Sequence, residues 1–559
     1  MKRHMREDYL VVGEGLLSFD DRHEPVAKRP STTAELRKFR FSRLGPQGQA
    51  LPQELREALA RAMVAGVSAD SADPAVPAGF TYLGQFVDHD LTMDATATAL
   101  GSDVSVDDLL QGRSPALDLD SLYGRGPGDR HDRVFYAEDG VHLKTGSTAA
   151  VSGTGADEVT NVDREGFDLP RSGLGSTKRE RRAALIPDAR NDENLAVAQT
   201  HLAFIRFHNR VVDQLAAGGL SGPALFRTAR SVVVKHYQWM LRTDFLPRIV
   251  APAIVDDVFT NGRRFFEVSP GYDRRGRGRW AQPGDRPTMP IEFSVAAYRL
   301  GHSMIRAVYE WNRVFNTAAG PNLPPGTLEL LFQFSGTSGT LSPDGTLDDP
   351  ESGSFERLPT NWIADFRRLY DFAEAGRDDL VIPEGQPGLN LTRRIDTRLV
   401  DPLKNLPLGS FGGAGAPPEI ERNLAFRNLT RAVMVRLASG QQMAEFLDMV
   451  PLKPDEILGG RDGASLAELS DAQKEAVTTN TPLWFYILRE AEFNGGRLDG
   501  VGGRIVAEVF HRAMEGSRVS MLRDESWRPT LGPDSDTFRM VDLLLFAFEG
   551  RAELLNPLG

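Results

Sequence analysis

The chain has 559 residues, with 65 Lys and Arg against 77 Asp and Glu, a formal net charge of −12. At 41% apolar and 25% charged it has the composition of a soluble globular protein, which excludes wholesale disorder, and its acidic balance argues against a nucleic-acid binder, whose phosphate contacts need a basic face. Cysteine is absent, which removes disulfides, thiolate metal sites and cysteine nucleophiles together, so any metal must sit on histidine, carboxylate or carbonyl groups.

Residues 1–35 are polar and broken by Pro25 and Pro30, and read as an extended N-terminal arm before a single domain over 36–559. The opening MKRHMREDYL has no apolar core behind its basic start, so it does not read as a secretory signal, and location is left as cytoplasmic or exported without such a signal. No stretch approaches the ~20 uninterrupted apolar residues of a membrane-spanning helix, so no membrane partner is expected. The apolar periodicity predicts helices at 54–63 and 81–93, then at 194–216 and 224–246, the last closed by Pro247. Further helices are expected at 291–315, 361–374, 421–438, 440–448, 466–477 and 503–514. Residues 144–180 read as a long surface excursion and 318–360 as mostly loop, both rich in Gly, Ser and charge. Period-2 strands are scarce, and the fold class is mainly α with long irregular connections.

The common catalytic motifs are missing: no phosphate loop, no His-Glu-x-x-His and no Gly-x-Ser-x-Gly occur. Asp118-Leu119-Asp120 opens like an EF-hand loop, but Tyr123 stands where that loop needs Gly and Asp129 where it needs Glu. Four short segments carry polar groups at helical spacing instead. In Thr81–Leu91, Gln85, Asp88 and His89 share one face among Leu83, Phe86, Val87 and Leu91, while Asp90 points about a quarter-turn away. Such a polar face without Lys or Arg would cost several kcal/mol if buried without partners, and reads as a buried polar site rather than a wetted face. Arg190 and Glu193 stand at i, i+3, which taken alone reads as an intrahelical ion pair of small value. Arg299 and His302 share a face, with Gly301 leaving space beside the imidazole. Asn428 and Arg431 share another, which alone could be an Arg-rich surface helix. These pieces fit one site physically. A haem iron with an open face needs a neutral imidazole on one side, and that imidazole needs an acceptor for its other nitrogen. The propionates need cations, and the open face needs a base and a cation beside a breaking O–O bond.

Together the segments resemble the animal-type haem peroxidases of the peroxidase–cyclooxygenase superfamily. Gly84-Gln85-Phe86-Val87-Asp88-His89-Asp90-Leu91 looks like the distal-helix motif, and Arg190 with Glu193, Arg299-Leu300-Gly301-His302, and Asn428 with Arg431 look like the other family motifs in the expected order. Thr481–Leu488 and Val501–Val506 resemble the C-terminal part of bacterial members, so the likeness covers about residues 80–515. It implies a myeloperoxidase-like haem peroxidase fold and a peroxidase that reduces hydrogen peroxide and oxidises halide, thiocyanate or small aromatic donors through a ferryl intermediate, with a part in the response to oxidative stress. By position it implies His89 as distal base, Arg190 as distal cation and Gln85 as holder of distal water or substrate. His302 would be the proximal iron ligand with Asn428 bonded to it, and Arg299 and Arg431 would meet the propionates. Asp88 and Glu193 match the carboxylates that can form ester bonds to haem, so the cofactor would be haem b or an ester-linked derivative. Asn194 replaces the methionine of a further sulfonium link, which is not expected here.

The family also carries a calcium ion, and the resemblance implies Asp90, Ser114, Ala116, Asp118 and Asp120 as its ligands, with Ser and Asp departing from the usual residues at 114 and 120. This is a hard, oxygen-only set of the kind calcium prefers. Two other functions stand beside the peroxidase. Fatty-acid dioxygenases of the superfamily use a tyrosine three residues before the proximal histidine, where this chain has Arg299; Tyr298 lies about 100° further round a helix and is expected to face elsewhere. A catalytically silent haem-binding or adhesion protein would have no need of the pair His89 and Arg190.

Overall fold

Leu, Val, Ala and Phe recur at three- and four-residue intervals through 195–217, and these residues form the 23-residue helix Leu195–Ala217. Asn194 starts it by accepting from the Val197 amide at 3.0 Å, and Gly218 follows its last turn. Three helices pack on it: Gly79–Leu91, Gly222–Met240 and Met540–Ala547. The computed structural model describes residues 40–65, 75–96, 98–152, 157–268, 287–318, 324–333, 356–406 and 417–559, with three short strands nearer the N-terminus.

The architecture is mainly helical, as expected. Strands are few and short. Phe41–Ser42 runs parallel to Met289–Pro290, Gly146–Ser147 is antiparallel to Glu165–Asp168, and Val308–Tyr309 is antiparallel to Gly326–Thr327. Within the arm expected at 1–35, Asp8–Leu10, Leu16–Phe19 and Pro25–Ala27 form an antiparallel meander, and the rest lies outside the described residues. Among the described residues no helix is long and apolar enough to cross a membrane.

Several predicted helices form near their expected bounds: Gln53–Val64, Gly79–Leu91, Leu424–Met434, Gly440–Phe446, Asp471–Thr479 and Gly500–Gly516. Others differ. Pro247 does not close its helix. A π turn at Leu241–Phe245 absorbs the missing amide and the chain continues as Leu246–Ile249. The expected helix 291–315 is broken into a π turn at Glu292–Ala296, a 3-10 turn at Ala297–Leu300 and a short α turn at Gly301–Met304. Residues 361–374 form only 3-10 turns, two of them capped by Asp365 and Asp371, whose carboxylates bond the amide two residues on and favour a turn over a helix. The segment 144–180 is not all surface, because Thr148, Thr160, Asp168 and Leu169 are buried. Leu483–Phe493 escaped prediction because it is buried on nearly all sides, leaving no polar stripe to mark its period.

Gly79 begins the helix that carries His89. A Cβ there would collide with the Tyr370 ring, and the Gly79 amide and carbonyl bond the Leu369 carbonyl at 2.8 Å and the Tyr370 hydroxyl at 2.9 Å. Further along, Phe86 stacks on Phe204 at 4.5 Å and meets Tyr237 edge-on at 6.4 Å, locking this helix to Leu195–Ala217 and Gly222–Met240. Phe86→Ala should therefore cost about 3–5 kcal/mol and lower the calorimetric melting temperature. Val450→Ala, at a side chain 91% exposed, should leave it unchanged.

Candidate active site

His89 sits in the last turn of the Gly79–Leu91 helix, 3% exposed. Its Nδ1 lies 2.9 Å from the Asn191 carboxamide oxygen, so the Nδ1 proton is donated there and Nε2 is left with its lone pair. Nε2 faces the Glu193 Oε1 at 3.5 Å. Gln85 donates to that same Oε1 and accepts from the Asn194 amide group at 2.9 Å. The Thr92 hydroxyl donates to Asp88 at 3.0 Å. The face read from sequence thus meets partners from the turn Ala189–Asp192 and the residues after it.

Arg190 and Glu193 do not form the ion pair that their spacing suggests. The turn they occupy is 3-10, and Arg190 instead makes a two-pronged pair with Asp188, at 2.9 Å from Nε to Oδ1 and 2.6 Å from Nη2 to Oδ2. Its Nη2 also donates to the His89 carbonyl at 2.9 Å, and its Nη1 has no partner among the described residues.

On the other side, His302 lies in the short turn Gly301–Met304, which packs against Gly79–Leu91. Its Nδ1 is 2.9 Å from the Asn428 side-chain amide. Turning that amide end for end presents Oδ1 as acceptor for an Nδ1 proton at the same distance. Nε2 has no partner among the described residues. Burial, with Arg299 adding to it, lowers the His302 pKa to about 3, so the imidazole is neutral. A Cβ at Gly301 would meet nothing within 4 Å, so there is open space beside this histidine. Arg299 donates to the Ser294 carbonyl at 2.9 Å, and Arg431 pairs with Asp94 at 2.9 Å, a partner that sequence reasoning missed. Arg299, Arg431, Asn428, Thr92 and Asp94 all line one pocket, with Ile291, Val295 and Met434 among its apolar walls. Neutral imidazole, open space, cations and an apolar-walled cavity are what a haem requires, and these residues fit it.

Asp90 points away from His89 into a third environment, fully buried. One oxygen from each of Asp90, Asp118 and Asp120 lies within 4.8 Å of the others. The amides of Leu119 and Ser121 and the Tyr237 hydroxyl bond Asp90 at 3.2, 3.4 and 3.4 Å. The Ser114 hydroxyl bonds Asp118 at 3.2 Å, and the Ala116 carbonyl accepts from the Asp118 amide at 2.9 Å. Burial and mutual repulsion raise all three pKa values, that of Asp118 to about 7.

Residues 106–333 match the family described as animal haem peroxidase. Thyroid peroxidase of Mus musculus is 24% identical over 392 residues, covering 67% of this chain but 38% of that protein. A peroxidase-like protein of Margaritifera margaritifera is 31% identical over 127 residues, covering 22% of this chain and 14% of its own length. The chain thus spans well under two thirds of these relatives. Peroxidase A of Dictyostelium discoideum superposes with a TM-score of 0.50 at 16% identity, covering 90% of this chain and 91% of that one. A fatty acid alpha-dioxygenase of Arabidopsis thaliana gives 0.51 at 14% identity, covering 91% and 76%. These two likenesses speak for the fold alone. The likeness to the animal haem peroxidase family thus lies in residues 106–333.

Around these residues, sequence reasoning missed Asn191, Asp188, Arg113, Asp94 and His201. Asn191 and Asp188 flank Arg190 and were within sight. Arg113 and His201 carry no local signal. Tyr298, expected to face elsewhere, stacks on Phe293 at 4.7 Å and packs against Phe510, and its buried hydroxyl has no hydrogen-bond partner among the described residues. The π and 3-10 turns before His302 change the angular count that an α-helix assumes.

His201 packs edge-on to Phe86 at 5.7 Å, with both ring nitrogens buried and unpartnered. Burial lowers its pKa to about 3, with Asp188 opposing and His89 and Arg113 adding. A depressed histidine contributes its stability above pH ~6.5, and that is lost as pH falls toward the folded value. Between pH 6.5 and 5 the loss is about 2 kcal/mol from this one group. His201→Phe should remove that part, so its melting temperature should fall less than that of wild type over the same range.

Proposed function

We propose that the chain is a hydrogen-peroxide-dependent haem peroxidase. What supports this reading is two imidazoles, each oriented by an asparagine, on elements that pack together: His89 on Asn191 and His302 on Asn428. His302 would hold the iron through Nε2, Asn428 would fix its imidazole, and Arg299 and Arg431 would meet the propionates. Asp88 and Glu193 would be the residues to form ester bonds to haem. Bound haem would supply the two electrons that reduce hydrogen peroxide and hold the resulting oxidising equivalents for the donor. The protein moves the protons. His89 Nε2 accepts a proton from one oxygen of hydrogen peroxide and returns it to the oxygen that leaves. Arg190 would have Nη1 available to donate to that departing oxygen. Gln85, held by Glu193 and Asn194, would place water or substrate beside His89. Halide, thiocyanate or small aromatic donors would then be oxidised.

Removing the base should cost the 10²–10⁴-fold typical of such a group, roughly 3–5 kcal/mol of barrier. Stopped-flow spectra of His89→Ala should show that slowing of the peroxide reaction with haem still bound; equal rates would remove His89 from the mechanism. A fatty-acid dioxygenase is the second reading, favoured by buried Tyr298 near Asp88. Oxygen uptake with a fatty acid, absent in Tyr298→Phe, would establish it.

We also propose calcium at Asp90, Asp118 and Asp120, with Ser114 and the Ala116 carbonyl completing the set. Repulsion supports it. Asp118 and Asp120 both face Asp90, Asp120 faces Asp118, and burial raises all three pKa values, with Arg113 beside Asp120 and Arg230 beside Asp118. A divalent cation would relieve that repulsion. Elemental analysis should find about one calcium per chain, and chelation should lower the melting temperature. Full stability after chelation would defeat this assignment.

A further inference from the structure

Asp188 is 1% exposed and stands between two guanidinium groups that are equally buried. On one side it holds Arg190, which reaches the His89 carbonyl at 2.9 Å. On the other, its Oδ2 lies 2.7 Å from the Arg113 Nε as an ion pair. Arg113 continues the chain: Nη1 lies 3.3 Å from Asp120 Oδ1, and Nη2 donates to the Pro187 carbonyl at 3.1 Å. A continuous line of buried charge therefore runs from the three-aspartate cluster through Arg113 and Asp188 to Arg190 and the turn of His89. It is separate from the covalent route by which Asp90 adjoins His89.

We propose that Asp188 is a positioning residue for His89 and Arg190, and that with Arg113 it transmits to them the occupancy of the Asp90–Asp118–Asp120 cluster. The physical reason is competition for one rigid fork. With the cluster empty of cation, Asp120 and Asp188 both draw on Arg113, because a buried carboxylate left unpaired is costly. With a cation bound, the Asp120 oxygens turn to it, and Arg113 is committed to Asp188 and Pro187. Asp188, held from behind, then fixes Arg190 and the His89 carbonyl in one place. A lysine cannot replace the fork, since a single ammonium cannot reach Asp120, Asp188 and the Pro187 carbonyl in this planar arrangement.

The proposal rests on the cation reading above, and hydrogen-exchange mass spectrometry of the full chain tests it with calcium alone as the probe. In wild type, calcium should slow exchange by about tenfold in both 79–94 and 186–194. In Arg113→Lys the slowing should persist in 79–94, through Asp90, and vanish in 186–194. Asp188→Asn keeps the shape and loses the charge, and should give the same loss if the lysine variant does not fold. An equal response of 186–194 in wild type and either variant would overturn the proposal, as would no response there in wild type. A calcium binding isotherm on the same samples separates the failures. No binding defeats the cation assignment and this proposal together, whereas binding without a response at 186–194 defeats this proposal only.

Discussion

One helix buries polar side chains on two of its faces, and much of the surrounding structure exists to satisfy them. Gly79–Leu91 presents Gln85, Asp88 and His89 in one direction and Asp90 in another. Asp90 is fully buried, so its carboxylate must find donors or a cation. The loop that answers it bends through Leu119 at φ 57°, a left-handed conformation that costs a side-chain-bearing residue roughly 1–2 kcal/mol. That bend turns the Leu119 and Ser121 amides onto Asp90, and the backbone strain is offset by those two bonds. The other face is answered by a different stretch, Asp188–Asn194, where the side chains of Asp188, Arg190, Asn191, Glu193 and Asn194 take partners from the helix or from one another. His89 is oriented because both of its neighbours in sequence, Asp88 and Asp90, are tied down separately.

The His302 side poses a different problem. To hold iron as proposed, His302 would need a fixed ring but an open edge, which a regular helix inside an apolar core does not provide. The chain breaks its helix there into π, 3-10 and α turns, and the one-residue irregularities re-aim side chains as such turns do elsewhere. Asn428 then reaches His302 from the Leu424–Met434 helix, whose own start is fixed by Asn423 bonding the Ala425 and Phe426 amides at 2.9 and 3.2 Å. Trp484 closes the region at 6.3 Å from the His302 ring, its indole nitrogen donating to the Arg299 carbonyl.

What was legible in the sequence follows from this physics. The helices were legible where one side faces solvent, as in Gln53–Val64, and illegible where burial is nearly complete, as in Leu483–Phe493. The polar face of Gly79–Leu91 stood out because three polar groups at helical spacing on an apolar segment demand partners. Which partners could not be read, because Asn191 and Asp188 act through a 3-10 turn whose side-chain directions differ from those of the helix assumed. Arg113 was beyond reach for another reason. Its role depends on two contacts, Asp120 and Asp188, that are 68 residues apart in sequence and adjacent only in the fold. The cations Arg299 and Arg431 were legible as charges near His302, whereas Asp94, which pairs with Arg431, looked like one more acidic residue after the helix.

The position of Glu193 bears on how His89 works. Its Oε1 lies 3.5 Å from His89 Nε2 and already accepts from Gln85. Were Glu193 to form the proposed ester to haem, its remaining oxygen could still accept from Gln85, which Asn194 also holds. Gln85 would then stay beside His89 while Asn191 keeps hold of the ring at Nδ1. Anchoring of the cofactor and the placing of Gln85 would in this way be two consequences of one residue.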